Sequence, residues 1–267
     1  MKNINCAIIG GSSMYQLNNF EIIDHIKMET PYGLTSDEIL IYSCNNKAFA
    51  FIPRHGSNHT IPPHKVPYKA NIYALSKLGT KHIYSTCIAG SLKKNIHPGT
   101  FVVLDQLVDF TFGRDDYYDV DKKFNHIAFA EPFCNILSAN VVKACKVNKL
   151  CVKNGGTAVI IQGPRFATFA ESLWYIKNDW DVINMTQYPE AYFAREFGLC
   201  YSSIAMITDY NPGVFSGFQM NRGNIEKIKS IIDINISNCH KVLHYLIDKD
   251  TEHECNSCYY ESYLDKL

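Results

Sequence analysis

Apolar positions along the chain follow two alternating patterns. Short, nearly continuous apolar runs predict buried strands, and they cover residues 5–9, 39–43, 48–52, 82–86, 101–107, 156–161, 182–184 and 200–208. Apolar residues at helical spacing predict helices over residues 68–78, 135–148, 168–178, 190–197 and 225–247. Strands that alternate with helices are typical of an α/β fold with a largely parallel or mixed sheet.

Turn and loop signals separate these elements. Asn45 and Asn46 predict a tight turn between two strands, and the stretch 56–67, rich in Pro and His, predicts a loop. Residues 89–91 are expected to form a loop after a strand, and residues 115–125 an exposed excursion. Because no linker, repeat or low-complexity tract divides the chain, we predict a single domain over residues 1–267.

The overall composition narrows the choice of partner and location. Lys plus Arg and Asp plus Glu both number 26, so the formal net charge is zero. This balance gives no electrostatic reason to expect nucleic acid or an acidic membrane as a partner. The N-terminal apolar run is too short for a signal peptide, and no run approaches the roughly 20 apolar residues of a membrane span. We therefore expect a cytoplasmic protein.

The ten cysteines are scattered, and several lie in strand-like runs. Buried, reduced thiols are the expected state in a cytoplasmic protein. Cys255 and Cys258 form the one CxxC motif, for which a pair of tail thiols is favoured over a redox role. No second CxxC completes a zinc site, so no metal is expected. His240 and His244, at helical spacing, lack the acidic partner that would strengthen a metal hypothesis.

Polar clusters follow four of the predicted strands. The segment GGSS at residues 10–13 offers backbone N–H groups and hydroxyls to an anion. The segment RHG at 54–56 adds a guanidinium whose planar fork suits phosphate. Residues 86–91 and the segment NMT at 184–186 are the other two clusters. Each cluster alone is explained as well by a tight turn, a surface arginine or a helix cap.

Asp209 is the most suggestive single residue. It follows the apolar run at residues 200–208, where burial raises the pKa of a carboxyl group and makes it a usable acid. Without the neighbouring clusters, an aspartate that caps a turn is an equally good explanation.

The segments IIGGSSM, RHGSNH, AEPFC, QGPRF, NMT and TDY lie in this order within residues 8–211. Together they resemble the 5'-methylthioadenosine phosphorylases, in the trimeric branch of the purine nucleoside phosphorylases. The resemblance implies one α/β domain with a mixed, partly barrel-like central sheet flanked by helices, assembled as a homotrimer. It also implies phosphorolysis of 5'-methylthioadenosine to adenine and 5-methylthioribose 1-phosphate. Inorganic phosphate is then the co-substrate, with no metal or organic cofactor.

The resemblance assigns a phosphate-binding role to four residues. Ser12 matches a phosphate-binding threonine, Arg54 and His55 match the phosphate pair of the RHG motif, and Thr186 matches a further phosphate hydroxyl. A bound phosphate anion stabilises the oxocarbenium-like sugar before it attacks the anomeric carbon. Most of the catalysis is therefore expected to come from positioning and electrostatics.

The resemblance also assigns the nucleoside contacts. Met185 matches a residue that packs beneath the ribose, and Phe166 matches an aromatic residue against the purine face. Asp209 matches the carboxyl group that addresses purine N7, where protonation improves a poor leaving group. His126 matches a residue that the neighbouring subunit lends to the pocket for the 5'-substituent.

Three of the positions that depart from the family pattern bear on the substrate and the reaction. Asn211 stands where the methylthioadenosine enzymes have an aspartate, and an amide either accepts from a 6-amino group or donates to a 6-oxo group. A phosphorylase of methylthioinosine, inosine or guanosine is therefore one alternative. Cys87 and Ile88 replace the family's hydroxyl or small residues. They keep open a second alternative, a nucleoside hydrolase or a non-catalytic nucleoside-binding paralogue.

Overall fold

The computed structural model describes residues 4–17, 20–118, 126–215 and 222–249, together with Cys255 and Cys258. Its helices are α1 (Tyr68–Lys77), α2 (Asn135–Val147), α3 (Phe169–Lys177), α4 (Gln187–Glu196) and α5 (Arg222–Lys249). Its strands are β1 (Cys6–Gly10), β2 (Glu21–Ile26), β3 (Glu29–Thr30), β4 (Gly33–Leu34), β5 (Ile39–Cys44), β6 (Lys47–Pro53), β7 (His82–Ser91), β8 (Phe101–Val103), β9 (Gln106–Phe110), β10 (Val152–Asn154), β11 (Thr157–Ile161), β12 (Val182–Asn184) and β13 (Cys200–Tyr210).

Eleven of these strands form one branched, mixed sheet. The main path runs β10-β8-β13-β7-β1-β6-β5-β2, and the central neighbours β13, β7, β1 and β6 run parallel. A branch of β12, β11 and β9 joins β7 at Gly90 and Ser91, which pair antiparallel with β12 as well as parallel with β13. The prediction of an α/β fold with a mixed central sheet flanked by helices is confirmed.

Both faces of the central strands are buried, which explains why they read as continuous apolar runs. In β1, Ala7 and Ile9 join a core that includes residues of α1 and α4. Cys6 and Ile8 point to the opposite face and join a second core with α2 and α5. None of the described helices is both long and apolar enough to cross a membrane.

The predicted hairpin turn is confirmed, and one predicted loop is wrong. Asn45 and Asn46 have φ values of 48° and 65°, as the tight turn between β5 and β6 requires. Residues 89–91, in contrast, continue β7 to Ser91. Small polar residues resemble a loop in sequence, but here Gly90 and Ser91 hold the junction between two parts of the sheet.

Two further predictions need correction. The strand expected over residues 101–107 is two strands with different neighbours, because β8 pairs with β13 and β10 whereas β9 pairs with β11. The segment expected to be exposed is exposed at Asp115, Asp116 and Tyr117, but Tyr118 is only 4% exposed. Its ring packs on Phe193 and Phe197, and its hydroxyl donates to the carbonyl of Lys69. Residues 119–125 of that segment lie outside the described part of the chain.

Candidate active site

Backbone contacts join the first three polar clusters at the ends of parallel strands. The N–H of Arg54, just after β6, donates to the carbonyl of Gly10 at the end of β1, with an N–O distance of 2.9 Å. The N–H of Gly11 donates to the hydroxyl of Thr86 in β7 at 3.0 Å. The carboxyl ends of neighbouring parallel strands thus bring the glycine loop, the RHG segment and β7 together.

The remaining clusters attach to the second half of β7. The side-chain amide of Asn184 donates to the carbonyl of Ile88 at 2.9 Å, which fixes the segment before α4 against this strand. The N–H of Asn211 donates to the carbonyl of Ser91 at 2.8 Å. The elements that carry Ser12, Arg54, His55, Met185, Thr186, Asp209 and Asn211 therefore meet around β7.

Arg54 is fully buried and held from several sides. Its Nε and Nη2 donate to the two carboxylate oxygens of Glu190 at 2.6 and 2.7 Å. Nη2 also donates to the hydroxyl of Ser85 at 2.6 Å, and Nη1 to the carbonyl of Thr86 at 2.9 Å. Burial alone lowers the pKa of Arg54, but the Glu190 carboxylate outweighs it and raises that pKa. Arg54 therefore keeps its charge inside the protein.

Within the described part of the chain, four of the five guanidinium N–H groups of Arg54 have a partner, and one is left to bind a ligand. The four hydrogen bonds use four of the five guanidinium N–H groups, and the fifth is on Nη1. Nη1 lies next to the glycine loop, since a Cβ built on Gly11 would be 3.0 Å from it. That Cβ would also be 2.5 Å from the carbonyl of Thr86, so only glycine fits this close approach. Ser12, which is half-buried, follows directly.

His55 is a neutral acceptor at this end of the site. Its Nδ1 lies 2.8 Å from the carbonyl of Ile61, and because a carbonyl only accepts, Nδ1 must carry the proton. Burial and the charge of Arg54 lower the pKa of His55 to about 4, so the ring is uncharged near neutral pH. Nε2 therefore carries a lone pair, which can accept a hydrogen bond from a P–OH group.

Asn184 organises the start of α4. Its side-chain oxygen accepts from the N–H groups of Thr186 and Gln187 at 2.8 and 3.1 Å, and from the Thr186 hydroxyl at 3.3 Å. Thr186 is buried and Met185 half-buried at this position. A Cβ on Gly163 would be 2.6 Å from the Met185 sulfur, so the backbone of the loop after β11 packs closely against the Met185 side chain.

Asp209 and Asn211 form the other end of the site. The nearest side-chain oxygens of these residues lie 3.8 and 3.6 Å from the position that a Cβ on Gly90 would occupy. Burial raises the pKa of Asp209, and the hydrogen bond that its Oδ1 accepts from Thr208 at 2.6 Å opposes this rise only in part. The carboxyl group therefore holds its proton to a higher pH than an exposed aspartate does.

The orientation of the Asn211 amide follows from the donors around it. The Ser172 hydroxyl has one proton, which it donates to the carbonyl of Pro212. Ser172 must therefore accept in its 2.7 Å contact with Asn211, so the amide nitrogen of Asn211 faces Ser172. The Asn211 oxygen then faces the space above Gly90 as an acceptor, as an oxygen of Asp209 also does.

Two predicted contact residues are exposed in the single chain. Phe166 is 74% exposed, and Phe169 and Trp174 near it are exposed as well. His126 is also exposed. The roles given to Phe166 and His126 therefore stay predictions.

The two substituted positions are accommodated by packing. The Cys87 side chain turns into the core, 3.9 Å from the Ser203 hydroxyl on β13, and burial raises the pKa of this thiol to about 12. Ile88 packs against the core on the other face of the sheet. Neither side chain contributes a polar group to the anion end, which leaves that role to Ser12, Thr186 and the backbone.

The network behind Arg54 was not predicted from the sequence. The hydroxyls of Ser85 and Tyr201 both lie 2.7 Å from Glu190 Oε1, and Tyr201 also contacts the side-chain oxygen of Gln187 at 2.7 Å. A usable signal was present, because Glu190 lies among buried positions of the predicted helix and a buried carboxylate requires a partner.

Comparison with known proteins gives consistent results. The family model described as "Phosphorylase superfamily" matches residues 5–248. An S-methyl-5'-thioadenosine phosphorylase of Saccharolobus solfataricus is 39% identical over 94% of this chain and 93% of its own. A purine nucleoside phosphorylase of Streptomyces coelicolor is 37% identical over 79% of this chain and 78% of its own. The structure of a methylthioadenosine phosphorylase from Schistosoma mansoni in complex with adenine has a TM-score of 0.86 and 32% identity, covering 92% of this chain and 91% of that one.

Proposed function

The chain belongs to the phosphorylase superfamily, and we propose that it cleaves 5'-methylthioadenosine with phosphate to give adenine and 5-methylthioribose 1-phosphate. The observation that carries this substrate is the Asn211 amide, whose oxygen faces the same space as the Asp209 carboxyl group. An acceptor at that position pairs with the 6-amino group of adenine, whereas a 6-oxo group needs a donor.

Phosphate binds at the Arg54 end of the site. The permanent charge of Arg54, its remaining Nη1 N–H and the Ser12 hydroxyl attract and orient the anion, and the Thr186 hydroxyl turns to it from its long 3.3 Å bond to Asn184. Neutral His55 accepts from a protonated phosphate oxygen through Nε2. Because Arg54 and His55 are held by hydrogen bonds before the substrate arrives, they need little reorganisation when the sugar develops positive charge.

The base leaves from the Asp209 end. Protonated Asp209 donates to purine N7 as the glycosidic bond breaks, and the half-buried Met185 packs beneath the ribose. The phosphate oxygen then bonds to the anomeric carbon, while the departing adenine keeps the proton at N7. This chemistry uses inorganic phosphate as its co-substrate and requires no organic cofactor or catalytic metal.

A homotrimer completes the site in this proposal. Several large apolar side chains near the predicted purine contact are exposed. They are those of Phe112, Phe166, Phe169, Leu173 and Trp174. Burial of this surface against a second copy, which contributes His126 to the 5'-substituent pocket, accounts for their exposure in one chain. Sedimentation or light scattering should give three chains per particle. A monomer with full activity would contradict this assembly.

The cytoplasmic location of the protein stays a prediction.

The main test is release of free base from three substrates, with and without phosphate. Methylthioadenosine, methylthioinosine and inosine are supplied separately, and we expect phosphate-dependent release of adenine from the first. Release of hypoxanthine alone would transfer the activity to 6-oxopurine nucleosides. Release without phosphate would indicate a hydrolase, and binding without release a non-catalytic paralogue.

A substitution sharpens the assignment of the substrate. Asn211→Asp supplies acceptor atoms only and should raise the ratio of adenine to hypoxanthine release about tenfold, because an unmatched polar contact costs on the order of 1–3 kcal/mol. An unchanged ratio would refute the role given to Asn211.

A further inference from the structure

Four cysteines from distant parts of the sequence lie together away from the site around β7. Cys134 precedes α2, Cys200 begins β13, and Cys255 and Cys258 belong to the C-terminal tail. Their sulfur atoms all lie within 4.8 Å of one another, and none of the four residues is more than 6% exposed. The predicted pair of tail thiols, Cys255 and Cys258, therefore has two further thiols beside it.

The fold, rather than a second CxxC motif, supplies the other two thiols. The N–H of Cys134 donates to the carbonyl of Tyr201 at 2.8 Å, so the start of α2 lies alongside the start of β13. This contact brings Cys134 next to Cys200 although 65 residues separate them in the sequence. A motif search along the chain does not detect such a pair.

The sulfur spacing fits a tetrahedral metal ion. Zinc–thiolate bonds of about 2.3 Å in a tetrahedron place neighbouring sulfur atoms about 3.8 Å apart. The sulfur atoms of Cys134 and Cys255 are 3.7 Å apart. A disulfide needs a separation of about 2.05 Å, and all ten cysteine side chains are thiols in the structure.

The surroundings suit a closed, negatively charged centre. Four thiolates around Zn²⁺ carry a net charge of −2. The positive charge of Arg195, a buried residue of α4, favours the thiolate form of Cys258 and so offsets part of this charge. The tail also passes close to the end of α4, since a Cβ on Gly198 would be 3.6 Å from the carbonyl of Cys258. The N–H of Cys258 lies 3.3 Å from the carbonyl of Cys255, which closes the turn between the two tail thiols.

We propose that Cys134, Cys200, Cys255 and Cys258 bind one structural zinc ion. Four protein thiolates fill a tetrahedral shell and leave no open position for a substrate, so the centre holds structure and does not take part in phosphorolysis. Each coordinated thiol releases its proton when the metal binds, and no electron is transferred. The ion joins Cys255 and Cys258 to β13, which carries Asp209 next to its last residue, and to the neighbourhood of α4, which carries Glu190.

Metal content and the spectrum of the cobalt protein test the proposal directly. Full-length protein is purified anaerobically without chelator, and mass spectrometry of the metal should give about one zinc ion per chain. Replacement by Co²⁺ should give the strong visible bands of a tetrahedral thiolate site. A metal-free protein in which all ten thiols react with an alkylating agent would overturn the proposal. So would a mass lower by about 2 Da for each disulfide formed within the cluster.

Matched cysteine variants locate the ion. Cys258→Ser removes one ligand from the tail, and zinc retention after dialysis against a mild chelator should fall below about one fifth of the wild-type value. Cys145→Ser changes another buried thiol and Cys151→Ser an exposed one, both outside the cluster, and each should retain the ion. Equal zinc loss in Cys145→Ser would overturn the assignment of ligands. Should Cys258→Ser fail to fold, the wild-type metal content and cobalt spectrum still decide.

Discussion

The two ends of the active site differ in the charge that they hold: Arg54 is permanently charged, whereas Asp209 favours its uncharged form. At the phosphate end, Arg54 and Glu190 form a fully buried ion pair in which both carboxylate oxygens are bound, and the charge of Arg54 is permanent. At the base end, Asp209 is half-buried with one hydrogen bond from Thr208, and partial burial raises its pKa. The first arrangement is suited to holding an anion, and the second to carrying a proton that is given away.

The largest effect, on stability, is expected when Arg54 loses the carboxylate of Glu190. Glu190→Gln leaves Arg54 buried beside a neutral amide, which should lower the free energy of unfolding by roughly 3–5 kcal/mol. The KM for phosphate should rise as well, because Arg54 is no longer held in place. Urea unfolding and initial-rate kinetics measure the two effects. A stability close to wild type would show that the ion pair does not organise this end.

The next largest effect, on kcat, is expected when Asp209 loses the proton that it donates to the purine. Asp209→Asn cannot donate to the leaving purine, so kcat should fall about 10²–10⁴-fold while the protein stays folded. Because the protonated form is active and its pKa is raised, wild-type kcat should decline as pH rises through that pKa, and this decline should vanish in the variant. Asp179→Asn, at an exposed carboxylate, is the control. A wild-type rate in Asp209→Asn would refute the acid role.

A smaller effect is expected in base recognition. Ser172→Ala removes the acceptor that holds the nitrogen of the Asn211 amide, so the amide can turn and present either atom to the base. The preference for 6-amino over 6-oxo substrates should weaken by about tenfold or less, since a net hydrogen bond is worth on the order of 1 kcal/mol. Competition between methylthioadenosine and methylthioinosine measures this ratio. An unaltered preference would mean that Ser172 does not orient Asn211.

The smallest effect belongs to a surface pair of the same chemistry as Arg54–Glu190. Arg165 and Glu171 form a similar bidentate contact at 2.8 and 2.7 Å, but Arg165 is largely exposed. Glu171→Gln should therefore change the free energy of unfolding by no more than about 1 kcal/mol. A loss as large as that in Glu190→Gln would show that burial does not distinguish the two pairs.

Patterns with a single physical cause were predictable from the sequence. Strands buried on both faces, such as β1 and β13, appear as apolar runs, and Asn45-Asn46 identifies its turn because few residues adopt positive φ. Strand β2 was not predicted, because it lies at the edge of the sheet and its side chains are largely exposed. Its residues therefore lack the burial that makes a strand recognisable.

Features that depend on contacts between distant residues were only partly accessible. The sequence indicates that Arg54 and Asp209 lie at strand ends, but it contains no sign of which carboxylate neutralises Arg54 or which way the Asn211 amide turns. The latter depends on the single proton of Ser172, 39 residues away. The proximity of Cys134 and Cys200 likewise exists only after α2 docks beside β13.

Gly90 has a consequence for how such an enzyme can be lost in evolution. Its missing side chain leaves open the space that the oxygens of Asp209 and Asn211 face, and its backbone φ is one that alanine also adopts. The methyl group of Gly90→Ala would lie 3.1 Å from a methyl of Ile183, a contact that a small shift relieves. We expect this variant to fold and to release no adenine. One nucleotide change then converts a catalyst into an inert scaffold, and an active Gly90→Ala protein would contradict this.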